Sequence, residues 1–143
     1  MDGMLKISEG SNLAIHAMAY LAAVKDGTPT TVALMAERMD VSRDHLGKVM
    51  QRLVRQNMVR SRRGPKGGFN LDCDANELTL LQIVEVIDGP MATPSCLLGK
   101  PVCQDGCCVM SSLAHKVHAQ VLEVFQGTKL ADLPPPVPVP APQ

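Results

Sequence analysis

Four of the five cysteines in this chain fall within thirteen residues, and such a cluster of thiols can bind a metal. They are Cys96, Cys103, Cys107 and Cys108, in a segment that also contains glycine. Thiolates are the ligands of zinc sites and of iron–sulfur clusters. The spacing matches neither the paired CxxC units of a zinc ribbon nor a ferredoxin motif, so it predicts a soft-metal site without selecting the metal. The alternative is a metal-free loop of reactive cysteines.

The charge distribution indicates a second kind of site. The chain has 14 basic and 14 acidic residues, yet residues 43–66 contain eight basic residues and one acid, Asp44. The rest of the chain is net negative, with six basic and 13 acidic residues. A local charge near +7 in a neutral protein is typical of a surface that binds a polyanion, and DNA is the first candidate. The alternative is a solvated helix face beside a basic turn.

Composition narrows the class of protein that positions these residues. With 143 residues the chain is expected to form one domain, and three aromatic residues against nine methionines favour helices. No apolar run is long enough to span a membrane, and the first ten residues do not resemble a signal peptide. We therefore expect a cytoplasmic protein without a disulfide framework. Cys73, outside the cluster, is interpreted as a packing residue.

The first part of the basic region lies on a predicted helix-turn-helix. Apolar periodicity predicts helices over residues 9–25, 31–38 and 43–56, the last beginning after the N-cap Ser42. Its apolar residues recur every three or four positions and leave the basic residues on the opposite face. In this motif the N-terminal residues of the second helix reach base edges in the major groove.

The geometry of the motif assigns roles to individual side chains. Four residues form the N-terminus of the predicted recognition helix: Ser42, Arg43, Asp44 and His45. Arg43 is suited to bidentate contact with guanine, and His45 to a base or a phosphate. Three residues further along this helix are predicted to hold phosphates: Lys48, Arg52 and Arg55.

A basic hairpin follows the recognition helix. Residues 58–62 and 68–72 predict two short strands, and the connector between them is rich in glycine and proline. Its basic residues, Arg62, Arg63 and Lys66, are suited to the minor groove or the DNA backbone. Two helices, a turn and a basic hairpin in this order predict a winged helix-turn-helix.

The C-terminal half contains two further predicted helices. Thr79 caps a helix that runs to about Asp88, and a long helix over residues 110–126 follows the cysteine loop. The apolar stripe of the long helix has no obvious partner within so small a domain: Leu113, Val117, Val121 and Val124. We therefore predict that it packs against a second copy, which would space two recognition helices for a palindromic site. His115 and His118 on the same helix are expected at the surface.

The chain ends in a proline-rich segment. Residues 134–143 contain six prolines and predict a mobile, polyproline-like tail, with docking onto another domain as the alternative to an inert one. The predicted organisation is a DNA-binding domain, a cysteine loop, a dimerisation helix with the end of the fold, and this disordered tail. Their bounds are 1–89, 90–109, 110–133 and 134–143.

The sequence resembles the BadM-type (Rrf-two) family of bacterial transcription regulators. The matching stretches are ISEGSNLAIHAMAYLA (7–22), VSRDHLGKVMQRLVRQNMVRSRRGPKGGFNL (41–71), ELTLLQIVEVIDGP (77–90), CLLGKPVC (96–103) and VFQGTKLADL (124–133). The resemblance covers residues 4–133, and RGPKGGF is its most specific part. It implies a winged-helix homodimer whose long C-terminal helix crosses to the partner. The wing arginine of the family matches Arg63, whereas its recognition-helix glutamate falls at Gly47, so no operator sequence is carried over.

The resemblance also implies an iron–sulfur cluster, [2Fe–2S] or [4Fe–4S], with zinc as the alternative. The three loop cysteines of cluster-binding members match Cys96, Cys103 and Cys108. His16, donated from the first helix of the partner subunit, matches a fourth ligand. Asn12 stands where other members have an acidic ligand, and Ser111 where others have a histidine. Cys107 is the competing fourth thiolate.

The combined prediction is a mainly α protein, a winged helix-turn-helix with a long C-terminal dimerisation helix. Its predicted function is regulation of transcription through double-stranded DNA, under control of a cluster that senses redox, iron or nitric oxide status. The rival is a winged-helix DNA-binding protein with a structural zinc or a metal-free redox-thiol loop. No serine–histidine–aspartate set, phosphate loop or paired acid is recognisable, so an enzyme is not expected.

Overall fold

The computed structural model of the chain describes residues 7–93, 96 and 108–140. In these ranges the chain forms five α-helices, a two-stranded sheet and a final 3-10 turn. The elements are α1 (Glu9–Ala23), α2 (Val32–Met39), α3 (Arg43–Arg55), β1 (Val59–Arg62), β2 (Gly68–Leu71), α4 (Leu80–Asp88), α5 (Val109–Gly127) and the turn Leu130–Asp132. This order confirms the predicted winged helix-turn-helix, which is mainly helical.

Side-chain caps determine where the first four helices begin. In each case a hydroxyl accepts a hydrogen bond from the backbone N–H three residues further on, which satisfies a donor that the helix itself leaves unpaired. The capping residues are Ser8, Thr31, Ser42 and Thr79. At Thr79 the Gln82 side chain also reaches back to the cap, forming a capping box. Asp40 adopts a left-handed conformation (φ 53°) that ends α2 and directs the chain into α3.

The core is built around α1, which packs against α3, α4 and β2. Its alanines Ala14 and Ala17 are fully buried, and such small side chains let neighbouring helices approach closely. Because the chain has few aromatic residues, methionines such as Met18 and Met50 fill much of the remaining interior.

The wing is anchored to the segment before α2. β1 and β2 pair antiparallel from Val59 opposite Leu71 to Arg62 opposite Gly68. Phe69 extends this pairing outward, since its N–H donates to the Thr30 carbonyl at 2.8 Å and its carbonyl accepts from the Thr30 N–H at 2.9 Å. Gly68 has a φ of +145°, and a Cβ at this position would lie 2.7 Å from the Thr30 oxygen. Glycine is therefore required where the wing meets Thr30.

Helix α5 has one buried side and one exposed apolar side. It packs against α4, and Ala114 and His118 are only 1% and 7% exposed. The surface position expected for His118 is therefore wrong: the residue lies one turn after Ala114 and faces the same way. His115 is exposed, as expected. Leu113 and Val124 remain 43% and 58% exposed on the single chain.

The proline-rich tail contacts the domain over its described part. Val137 and Val139 are partly buried and pack against the core. The sequence led us to expect a tail without such contacts, because proline content reports backbone stiffness and not the apolar contacts of the intervening valines. No helix within residues 7–93 and 108–140 is long and apolar enough to cross a membrane.

Candidate nucleic-acid interface

The N-terminus of α3 is exposed and begins at a side-chain cap. Ser42 Oγ accepts a hydrogen bond from the His45 N–H at 3.3 Å, which holds the first turn. Arg43 and Asp44 are exposed beside this cap, while Leu46 begins the buried stripe of the helix. Asp44 in the first turn is favourable because the N-terminal end of a helix carries partial positive charge. The helix thus buries one side and leaves its first residues accessible, as predicted.

His45 faces an acid that the sequence did not suggest. Its Nδ1 lies 3.7 Å from Glu9 Oε1, with the two side chains 38% and 81% exposed. The two residues lie 36 positions apart in the sequence and are brought together because α1 packs against α3. An exposed pair of this kind contributes little to stability. It does place one end of α1 next to a side chain predicted to contact DNA.

All eight basic residues of 43–66 are exposed, but two of them, Arg52 and Arg60, also contact other parts of the protein. The other six, on α3 or the wing, form no ion pair with another described residue: Arg43, Lys48, Arg55, Arg62, Arg63 and Lys66. Arg60 lies 3.8 Å from the Asp72 carboxylate across the hairpin. Helix and wing therefore both present positive charge to solvent, which suits them to neighbouring phosphates.

Arg52 makes a contact that the sequence did not predict. Its Nη1 donates a hydrogen bond of 2.9 Å to the carbonyl of Ile87, near the end of α4. The next residue, Asp88, accepts hydrogen bonds at Oδ2 from the Ser8 N–H at 3.0 Å and the Ser11 hydroxyl at 2.7 Å. Burial tends to raise the pKa of Asp88, but these hydrogen bonds and the charge of Arg52 outweigh it and hold that pKa below its ordinary value.

Part of the cysteine loop lies outside the described residues. Cys96 and Cys108 are described and partly buried, and Cys108 directly precedes α5, whereas Cys103 and Cys107 lie outside the described ranges. Within residues 7–93, 96 and 108–140, no group of three or more histidine, cysteine or acidic side chains is placed to hold a metal. The predicted thiolate ligand set therefore stays a prediction.

The predicted ligand His16 lies on the exposed face of α1. Its Nδ1 is 2.6 Å from the Asn12 carbonyl oxygen, which can only accept, so Nδ1 carries the proton in this contact. A neutral ring held in this way has its lone pair on Nε2, the form in which histidine binds metals. A cleft of about 390 Å³ is lined by Glu9, Asn12 and His16 of α1 together with other residues that include Val137 of the tail.

Cys73 differs from the loop cysteines in its surroundings. It is partly buried and packs against the core. Burial raises the pKa of its thiol, and the neighbouring charges of Asp72 and Asp74 raise it further. A thiol that stays protonated is a poor nucleophile and metal ligand, which agrees with its interpretation as a packing residue.

The comparisons with known proteins agree on one protein family. The family model described as "Rrf2: Iron-dependent Transcriptional regulator" matches residues 7–135. A putative HTH-type transcriptional regulator of Aquifex aeolicus is 30% identical, with 88% of this chain and 89% of that protein covered. The structure of CymR, the global cysteine regulator of B. subtilis, superimposes with a TM-score of 0.74 at 27% identity, covering 90% of this chain and 95% of that one. T. potens IscR has a TM-score of 0.69 at 26% identity, with 90% and 85% covered.

Proposed function

The chain belongs to the Rrf2 family of transcriptional regulators, and from this premise we propose that it binds operator DNA as a homodimer and that its cysteine loop controls this binding through an iron–sulfur cluster. Its relatives are transcriptional regulators, so the expectation that it is not an enzyme is confirmed. We place it in the cytoplasm, the compartment of the bacterial chromosome.

The observation that carries the DNA-binding proposal is the exposed, capped N-terminus of α3 followed by a basic wing. Ser42, Arg43, Asp44 and His45 enter the major groove, with Arg43 as the residue best suited to a guanine. Lys48 on the exposed side of α3 holds a phosphate. Three residues of the wing contact the adjacent minor groove or backbone: Arg62, Arg63 and Lys66.

The exposed apolar side of α5 supports the homodimer. Apolar side chains that stay exposed together on one helix face favour burial against a partner. Met110, Leu113 and Val124 are such residues here. In a two-fold dimer the same stripe meets itself, so two recognition helices are presented to a palindromic operator.

The donor set of the loop fits an iron–sulfur cluster. Cys96, Cys103 and Cys108 provide three thiolates, and His16 of the partner subunit provides a nitrogen whose tautomer the Asn12 carbonyl already selects. A bound cluster supplies a redox-sensitive group. The role of the chain is to hold that group between the end of α4 and the start of α5, the two helices that pack against each other.

A structural zinc or a metal-free redox-thiol loop is the second candidate. It is favoured by the similarity to a cysteine regulator. In either case DNA binding by α3 and the wing would remain, while regulation by iron would not.

Anaerobic purification with iron, sulfide and zinc analysis separates these candidates. We expect a coloured protein with visible absorbance, and duplex binding that weakens steeply with salt because each neutralised phosphate releases counterions. Stoichiometric zinc without iron would favour the second candidate. The probes include the DNA upstream of the gene that encodes this chain. If neither the loaded nor the metal-free protein binds any duplex, the DNA-binding proposal is refuted.

A further inference from the structure

Three helices meet at the C-terminal end of α4. Ser8 and Ser11 from α1, Arg52 from α3, and Ile87 and Asp88 from α4 form this contact, which we call the α4 junction. Two side-chain hydrogen bonds at 2.7 and 2.9 Å connect segments that lie 77 and 35 residues apart in sequence.

The Arg52 side chain caps the C-terminal end of α4 by donating a hydrogen bond to one of its last carbonyls. The last carbonyls of a helix have no partner within the helix and lie at its partially negative end, so a guanidinium there satisfies an acceptor and is favoured electrostatically. Arg52 donates to such a carbonyl, that of Ile87, and its charge also helps to hold Asp88 ionised. The guanidinium is thus directed along the protein surface toward α4.

The junction is tightly packed on its α1 side. Gly10 lies against the Ile87 side chain so closely that an added Cβ would be 3.1 Å from Ile87 Cγ2. Asp88 caps the start of α1 on the same side. A displacement of the end of α4 therefore acts on both α1 and α3.

The end of α4 is also where the cysteine loop begins. Gly89 follows Asp88 with a φ of +78°, and Cys96 is eight residues after Asp88. We propose that Arg52 is a positioning residue, which joins the recognition helix to the base of the cysteine loop and makes no phosphate contact. This inference rests on the proposed function, because it takes α3 as the DNA-reading helix and the loop as its regulator.

The salt dependence of DNA binding separates a positioning residue from a phosphate contact. Loss of one phosphate contact reduces the slope of log K against log salt by about 0.9. For the metal-free chain we expect Arg52→Ala to weaken duplex binding roughly threefold to tenfold, comparable to the net contribution of one ordinary hydrogen bond, with the wild-type slope. Arg55→Ala, on the same helix, should reduce the slope. Lys25→Ala, an exposed residue outside the basic region, calibrates the effect of removing a distant charge.

Two outcomes of this titration would overturn the proposal. One is a slope for Arg52→Ala reduced as much as that of Arg55→Ala, which would make Arg52 a phosphate contact. The other is wild-type affinity and slope, which would leave Arg52 without a role. Thermal melting verifies that the variant is folded, and Arg52→Gln, which shortens the side chain less, provides a second variant with the same expected slope.

Coupling to the loop is measured as a ratio of DNA affinities. One sample has its loop thiols reduced, and the other has the same thiols alkylated by iodoacetamide. Both samples carry Cys73→Ser, and the ratio is the DNA affinity of the first divided by that of the second. We expect the two wild-type affinities to differ, and the difference to shrink toward a ratio of one in Arg52→Ala. An undiminished ratio in the variant would refute the coupling. A wild-type ratio of one would refute the coupling and leave the proposed regulation by a bound cluster to the anaerobic analysis, while the salt slopes would still decide whether Arg52 contacts phosphate.

Discussion

The Ser11 hydroxyl donates a 2.7 Å hydrogen bond to the Asp88 carboxylate, which joins the start of α1 to the end of α4. The same carboxylate accepts the Ser8 N–H at 3.0 Å. A carboxylate at a helix N-terminus is stabilised by the unpaired N–H groups and by the partial positive charge there. Asp88 is therefore a long-range cap for α1, added to the local cap provided by Ser8.

This contact predicts a pH dependence of stability. The pKa of Asp88 is lowered from its ordinary value of 3.8 in the folded chain, so its contribution is complete above that pH and is lost as pH falls through the lower folded value. We expect Asp88→Asn to reduce the free energy of unfolding at pH 6, and the difference from wild type to close below pH 3.8. Urea unfolding at a series of pH values measures this.

Glu37→Gln, an exposed residue of α2, is the control for loss of one negative charge. If Asp88→Asn and wild type differ by the same amount at every pH, the stabilisation does not come from the ionised carboxylate.

The wing arginine Arg63 should contribute directly to DNA binding. It is exposed at the hairpin tip, and a base-specific arginine contact is worth about 1–3 kcal/mol. Arg63→Ala should therefore weaken operator binding roughly fivefold to 150-fold in a mobility-shift or anisotropy titration. Arg60→Ala is the matched control, because Arg60 lies on the adjacent strand and faces Asp72. Equal losses for both variants would indicate a general charge effect and contradict a specific role for Arg63.

The homodimer should depend on the exposed apolar side of α5. Leu113→Asp places a charge where we expect the two copies to meet, and because Leu113 is 43% exposed on the single chain, the change should leave the domain folded. Light scattering should give a dimer for wild type and a monomer for the variant at micromolar concentration. His115→Asp, exposed and about 200° further round the helix, should remain dimeric. A wild-type monomer would refute the dimer itself.

Single serine substitutions test the ligand assignment. Cys96→Ser, Cys103→Ser and Cys108→Ser should each abolish the visible absorbance of the anaerobic protein and uncouple DNA affinity from redox state, whereas Cys107→Ser should have a smaller effect. Cys73→Ser is the control, because burial keeps that thiol protonated and its pKa high. Loss of the absorbance in Cys107→Ser with retention in Cys108→Ser would show that the adjacent cysteines have exchanged roles.

The sequence by itself predicted the helix starts, the buried side of α3 and the hairpin, because short-range interactions decide these features. Ser42 and Thr79 mark helix starts because a cap acts over three residues, and both caps are present. The apolar spacing of α3 predicts its buried side, since residues three and four apart share a helix face. The glycines of the wing likewise predict the hairpin, because its turn needs conformations that other residues rarely adopt.

Tertiary structure alone decided the contacts between distant segments. The sequence predicts a phosphate contact for Arg52 because it lies on the polar face of α3. The hydrogen bond of Arg52 to a backbone carbonyl 35 residues away could not be predicted, because a backbone acceptor leaves no signature in side-chain types. His118 is polar yet buried, because helix packing selects a side by geometry as well as by polarity. Val137 and Val139 pack on the core although prolines surround them. Each of these contacts depends on the position of a second segment of the chain. That position is set by the packing of the whole domain.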